Sequence, residues 1–242
     1  MPFEFRTMIN YRDLNKNWKP RIDAIISYLN ESAILHSEMI GFNASYMLKN
    51  NCAWILNKFS IQLNDFPKFR DEVRIITWSR EIHIIKAYRD FEIYAGQNFI
   101  GRASSLWVFT DLKTKKPRRI PVEVKNMYGE EKISCGINPD DINYNTDDFK
   151  KSEIREYTIR FTDIDTNGHM NNTAFFNLLE NALLEKLGDF IVKSIKICFK
   201  NEVTHDKKTL NLGIKHEGEN IYKFLFYKSD LIYAYGEAQI CI

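Results

Sequence analysis

The sequence predicts an α+β protein built from two copies of one unit, each a curved antiparallel sheet wrapped around a long helix. Three observations predict it. In the last third of the chain, one strand-like run and one long amphipathic helix precede four strand-like runs with short connections. The first half repeats that order. Short stretches of the two halves also resemble each other at a shift of about 150 residues. Tyr28–Leu35 resembles Asn177–Leu184, and Arg12-Asp13-Leu14 resembles Thr162-Asp163-Ile164.

The first copy begins with a strand over Phe5–Tyr11. Ile22, Ile25, Ile26, Leu29 and Ala33 fall at helical spacing and mark an amphipathic helix that ends near Gly41. Strand-like runs follow over Ala53–Leu63, Glu72–Ser79, Ile85–Tyr94 and Asn98–Asp111. The segment Lys125–Lys151 is rich in Asn, Asp, Lys and Glu and has no sustained period, so it reads as a linker. The expected division is 1–128, a linker over 129–151, and 152–242.

The second copy begins with a strand over Arg155–Phe161. Asn171 or Asn172 can cap the helix that follows. Phe175, Phe176, Leu179, Ala182, Leu183 and Leu187 form its apolar stripe, and Gly188 offers a stop. Strands are expected over Lys193–Lys200, Thr209–Glu217, Ile221–Lys228 and Leu231–Ile242. The turn signals between them are short, which implies antiparallel neighbours.

Composition narrows the function classes. The chain has 242 residues, 44% hydrophobic, which is ample for a large core. A net charge of only +2 gives no case for broad nucleic-acid binding. Cys52, Cys135, Cys198 and Cys241 are widely spaced, without metal-ligand pairing. They read as free thiols in a reducing cytosol. No apolar run approaches the roughly 20 residues that span a bilayer, and the N-terminus lacks a signal-peptide pattern. A cytoplasmic protein with no metal and no cofactor is expected. His36, His83, His205 and His216 show no ligand spacing, and there is no phosphate-cradling loop, dinucleotide fingerprint or G-x-S-x-G elbow.

One stretch carries chemistry. Asp165, Asn167 and His169 alternate along the chain just before the second helix. A carboxylate, an amide and an imidazole converging on a helix start suit hydrolysis at a carbonyl. The unpaired N–H groups and positive potential of the helix N-terminus favour a developing oxyanion.

The run Asp165-Thr166-Asn167-Gly168-His169-Met170-Asn171-Asn172, with an aromatic position met by Phe175 or Phe176 and with Glu180 downstream, resembles the signature of acyl–acyl carrier protein thioesterases of the plant and bacterial type. Blocks of the first half are similar too: Trp54-Ile55-Leu56, Asp71-Glu72-Val73, Thr77-Trp78, Arg89–Tyr94, Gly101–Trp107 and Asp111–Arg118. The resemblance implies a tandem, or double, hotdog fold, with the first half holding the acyl chain. It implies hydrolysis of the thioester joining a fatty acyl chain to acyl carrier protein. It also implies a catalytic Glu on the strand after the helix, which falls on Glu202. Many plant relatives carry Cys just after that Glu; Val203 stands here, which leaves direct attack by water.

The first half reads Asn15-Lys16-Asn17-Trp18-Lys19 where the second has its motif, so one site per chain is expected. In the expected reaction Glu202 is the general base, and His169 polarises, relays and protonates the leaving thiolate. Asn167 holds the water or the acyl oxygen, and Asp165 fixes the loop. The roles of Glu202 and His169 can be exchanged. Lys113, Lys115, Lys116, Arg118 and Arg119 form a basic cluster that could dock an acidic carrier protein. Glu180 reads as structural. Alternatives are an acyl-coenzyme A thioesterase, a hotdog dehydratase, which the Asn167 amide disfavours, and a non-catalytic acyl-thioester binding module. Either a monomer, as an internal pseudodimer, or a homodimer is expected.

Overall fold

The computed structural model describes residues 1–142, 149 and 152–241. The first unit contains β1 (Phe3–Met8), α1 (Ile22–Met39), α2 (Ala44–Asn50), β2 (Cys52–Leu63), β3 (Glu72–Ile82), β4 (Lys86–Ala95), β5 (Asn98–Asp111) and α3 (Val122–Tyr128). The second contains β6 (Glu153–Thr158), α4 (Asn172–Leu187), β7 (Ile191–Phe199), β8 (Thr209–His216), β9 (Ile221–Lys228) and β10 (Leu231–Cys241).

All ten strands form one sheet, in the order β1-β3-β4-β5-β2-β7-β10-β9-β8-β6. The order reads the same from either edge once each strand is exchanged for its counterpart. The centre is the antiparallel pair β2·β7, in register from Lys58↔Cys198 to Gln62↔Ser194. Every other neighbouring pair is antiparallel as well, as the short connections require.

The apolar stripes lie where their spacing puts them. Ile22, Ile25, Ile26, Leu29 and Ala33 of α1 are buried, as are Phe175, Phe176, Leu179, Ala182 and Leu183 of α4. Both helices pack on the same face of the sheet, and one core cluster takes residues from both units. Phe59 of β2 meets Phe176 of α4 edge to face, with ring centroids 5.9 Å apart.

The repeat extends to single hydrogen bonds. The Asp13 carboxylate accepts from Asn10 N at 2.7 Å, and Asp163 accepts from Arg160 N at 2.8 Å. The carbonyls of the same two residues accept from Arg21 N and Asn171 N, both at 2.8 Å. Isolated bridges Leu14↔Pro20 and Ile164↔Met170 close the two loops alike.

Two elements differ from the sequence expectation. Helix α2 was unforeseen. Helix α3 runs through Lys125, where a linker was expected to begin. Each is only seven residues long, too short to show a helical period. Both cover a second small core around Phe42, Phe109 and Tyr128. Beyond α3 the chain lies against the outer face of the sheet. Trp78 Nε1 donates to the Ile133 carbonyl at 2.8 Å, and Cys135 N donates to the buried Asp90 carboxylate at 2.9 Å. The rest of the expected linker, 143–148 and 150–151, lies outside the described residues. No helix of the described residues is long and apolar enough to cross a membrane.

Candidate active site

The motif forms a tight loop between the short 3-10 turn Phe161–Asp163 and α4. Asp165 N donates to the His169 carbonyl at 2.8 Å, and Gly168 N donates to the Asp165 carbonyl at 3.0 Å. Gly168 takes a φ of +79°, the left-handed region that glycine enters without a Cβ penalty. Asp165 Oδ1 accepts from Asn167 N at 2.8 Å and from His169 N at 3.2 Å. Its Oδ2 accepts a longer bond from Asn167 Nδ2 at 3.4 Å. The carboxylate thus holds both other motif residues through their backbone. Asn171 caps α4, its side chain accepting from Thr173 N at 3.0 Å.

A second segment brings in the distant carboxylate. Met170 N donates to the Val203 carbonyl at 2.7 Å, and His169 bridges Thr204. These contacts set the loop after β7 beside the motif. His169 Nε2 stands 3.0 Å from Glu202 Oε2. The imidazole is half-buried, whereas the Glu202 side chain is 40% exposed. Asn57 of β2 donates to the Phe199 carbonyl at 3.0 Å, so the first unit buttresses this end of β7.

Sequence reasoning missed one neighbour. Lys115 Nζ approaches Glu202 Oε1 at 3.5 Å. It comes from the turn after β5, where Asp111 Oδ1 accepts from Lys113 N and Thr114 N at 3.0 and 2.9 Å. Those backbone bonds, led by that from Thr114, hold the Asp111 carboxyl below its usual range. The basic cluster is therefore divided. Arg118 turns inward over the Phe109 ring and donates to the Asn50 and Asn51 carbonyls. Lys113, Lys116 and Arg119 remain exposed. Only the residue type and the loop pattern marked Lys115, and neither reveals a partner in the other half of the chain.

The counterpart loop in the first unit keeps the frame and loses the chemistry. Asn15 Oδ1 accepts from Asn17 N at 2.9 Å and from Lys19 N at 3.1 Å, as Asp165 does for Asn167 and His169. Trp18 takes the place of Gly168, with a φ of +61°. Asn17 and Lys19 are tied to Asp189, by bonds of 2.8 Å each, so they clamp the two units together. Asp65 lines a cavity of about 240 Å³ beside this loop with Asn15, Lys19 and Glu180. Glu180 is buried, and its Oε2 accepts from Ile22 N, at the start of α1, at 2.9 Å. Burial pushes this carboxyl up to about 7. Cys52, Cys135 and Cys198 are buried, and Cys241 is exposed.

A ten-stranded sheet with a central helix in each half, and an Asp-Asn-His loop at the start of one helix only, define a double hotdog whose halves have diverged. Residues 2–128 match the acyl-ACP thioesterase N-terminal domain, and residues 146–232 match the C-terminal domain of the same family. The chain belongs to the acyl-ACP thioesterase family. It is similar to a chloroplastic acyl-[acyl-carrier-protein] hydrolase of Cuphea viscosissima, 26% identical over 216 residues, covering 82% of this chain and 51% of that protein. It is also similar to a chloroplastic oleoyl-acyl carrier protein thioesterase of Coriandrum sativum, 24% identical over 226 residues, covering 85% and 60%. The chain spans about half the length of the curated relatives it matches. Among solved structures, an acyl-ACP thioesterase from Bacteroides thetaiotaomicron matches with a TM-score of 0.86 at 17% identity, covering 99% of this chain and 97% of that one. A 12:0-ACP thioesterase from Umbellularia californica matches with a TM-score of 0.85 at 18% identity, covering 99% and 96%. The double hotdog fold expected from the sequence is the fold of these structures.

Proposed function

We propose that this chain hydrolyses the thioester of fatty acyl–acyl carrier protein to free fatty acid and carrier protein, with Asp165, Asn167, His169 and Glu202 as its catalytic set. The observation that carries the proposal is the 3.0 Å contact between His169 Nε2 and Glu202 Oε2 at the start of α4. Residues far apart in the chain meet where the helix N-terminus favours negative charge.

Glu202 takes a proton from water, and the water oxygen attacks the thioester carbon. The carbonyl oxygen becomes an oxyanion facing the N–H groups that open α4. Its collapse breaks the carbon–sulfur bond, and the thiolate leaves with the proton that Glu202 took from water, relayed through His169. Asn167 holds the water or the acyl oxygen. Asp165 supports the loop through the backbone bonds already described. The acyl chain enters the first half, 1–128, joined through 129–151 to the catalytic half, 152–242. The exposed Lys113, Lys116 and Arg119 give the acidic carrier protein a surface near Glu202. The same proposal has the chain acting in the cytoplasm, as a monomer or a homodimer.

The test is a ladder of acyl–acyl carrier proteins from short to long chains, with free acid and free thiol quantified. Wild type is expected to release acid, with Glu202→Ala and His169→Ala each lowering the rate at least about 100-fold. Release that survives both substitutions overturns the site. Release from acyl-coenzyme A alone overturns the carrier-protein substrate and leaves the site standing.

A further inference from the structure

The two halves occupy the start of their central helices differently, and the difference points to a catalytic residue on α1. In the first half, Ile22 opens α1 and its N–H is taken by the carboxyl of Glu180, which reaches across from α4 at 2.9 Å. Nearby, Asn177 Nδ2 of α4 donates to Asp23 of α1 at 3.2 Å, so the two helices lie side by side at this point. The repeat relates the loops and helix starts by about 150 positions. It carries Ile22 to Asn172 and Asn30 to Glu180. Under this repeat, the counterpart of the Glu180–Ile22 pairing is Asn30 of α1 with Asn172 of α4.

The chemistry at the two places is opposite. The N–H of Asn172 has no acceptor among the described residues. The side-chain amide of Asn30 has no hydrogen-bond partner among them either, and the residue is only partly buried. A first-turn N–H has no partner within its own helix and needs an outside acceptor. In the first half that acceptor is the protein's own carboxyl, which closes the place to a substrate. In the second half the acidic side chain is replaced by an amide, which can donate.

We infer that Asn30 is a catalytic residue, whose side-chain N–H joins the Asn172 N–H in holding the oxyanion of the tetrahedral intermediate. It rests on the reading of His169 and Glu202 given above. It goes beyond that reading by making the site a joint product of both halves. The first unit then supplies a reacting-centre contact as well as a place for the acyl chain, and Glu180 is the plug that silences the sister position. A neutral donor suits this role, because it stabilises charge that appears only during the reaction.

Three variants test it, each checked for folding by circular dichroism. Asn30→Ala removes the donor. Asn30→Asp keeps the shape and sets a carboxylate against the oxyanion. Asn30→Glu copies the plug of the first half. Loss of one such donor lowers kcat about 100-fold with KM little changed, because the interaction is made in the transition state. Asn30→Asp and Asn30→Glu are expected to fall below Asn30→Ala. Folded Asn30→Ala and Asn30→Asp proteins with kcat within about twofold of wild type overturn the inference. So does a rise in KM with kcat unchanged, which marks a ground-state contact. His169→Ala is assayed alongside. If it too keeps full activity, the proposed site has failed; if it is inactive while the Asn30 variants are active, only the role of Asn30 has failed.

Discussion

Glu180 shows how one side chain can link titration to stability. Its carboxyl is buried between the units, accepts one backbone N–H, and titrates at about 7 against an ordinary value of 4.5. The folded state therefore holds this proton more tightly than the unfolded chain does. The stability it contributes is complete below the unfolded value and is lost as pH rises through about 7. The full swing is about 3 kcal/mol. Glu180→Gln keeps an acceptor for Ile22 and cannot ionise. Urea unfolding at pH 5 and pH 8 is expected to show wild type losing stability relative to the variant by roughly that amount. Equal pH profiles would mean that the carboxyl is solvated. At this scale the sequence was most legible where residues are neighbours in the chain. Asp165, Asn167 and His169 lie within one loop, and their alternation alone marks a polar site. Lys115 was illegible as a neighbour of Glu202 because it belongs to the other half. Lys115 lies 87 positions from Glu202, and only the fold brings them together.

The elements were read well where a period is long. The stripes of α1 and α4 and the extended β5 span enough residues for their spacing to be decisive. Helices α2 and α3 were missed because their seven residues lack that length. What spacing cannot reveal is how closely two strands approach. Gly236 of β10 sits against β7, where an added Cβ would lie 2.0 Å from the Lys196 carbonyl oxygen. Gly101 of β5 sits against β2, with a Cβ position 2.6 Å from the Gln62 carbonyl oxygen. Each obstacle is backbone, so the strands themselves must move. Gly236→Ala is expected to destabilise by at least about 2 kcal/mol, and Gly101→Ala by less, since its clash is smaller. Thermal unfolding of the two variants checks both the cost and the order. A Gly236→Ala protein as stable as wild type would place these strands further apart.

At the scale of the molecule, the question is whether two units behave as one. The β2·β7 ladder and the edge-to-face pair Phe59–Phe176 join them, and one core cluster runs through both. Damage to either half should then be felt by the other. The chain carries its own reporters for this, because all four tryptophans, Trp18, Trp54, Trp78 and Trp107, lie in the first half. Phe226 lies deep in the second half. It is fully buried and packs on Phe175 at 5.0 Å and on Phe224 at 5.9 Å between ring centroids. Phe226→Ala removes a large core side chain, at a cost of about 3–5 kcal/mol. If the core is shared, tryptophan fluorescence and far-ultraviolet circular dichroism will report the same lowered denaturation midpoint, although the mutated site is remote from every tryptophan. If the halves unfold separately, the fluorescence transition will stay where it is in wild type while the dichroism splits into two steps. The single transition is the expected result, and it has a consequence for chemistry. A site with His169 and Glu202 on one unit and Lys115 on the other keeps its geometry only while the seam between them holds.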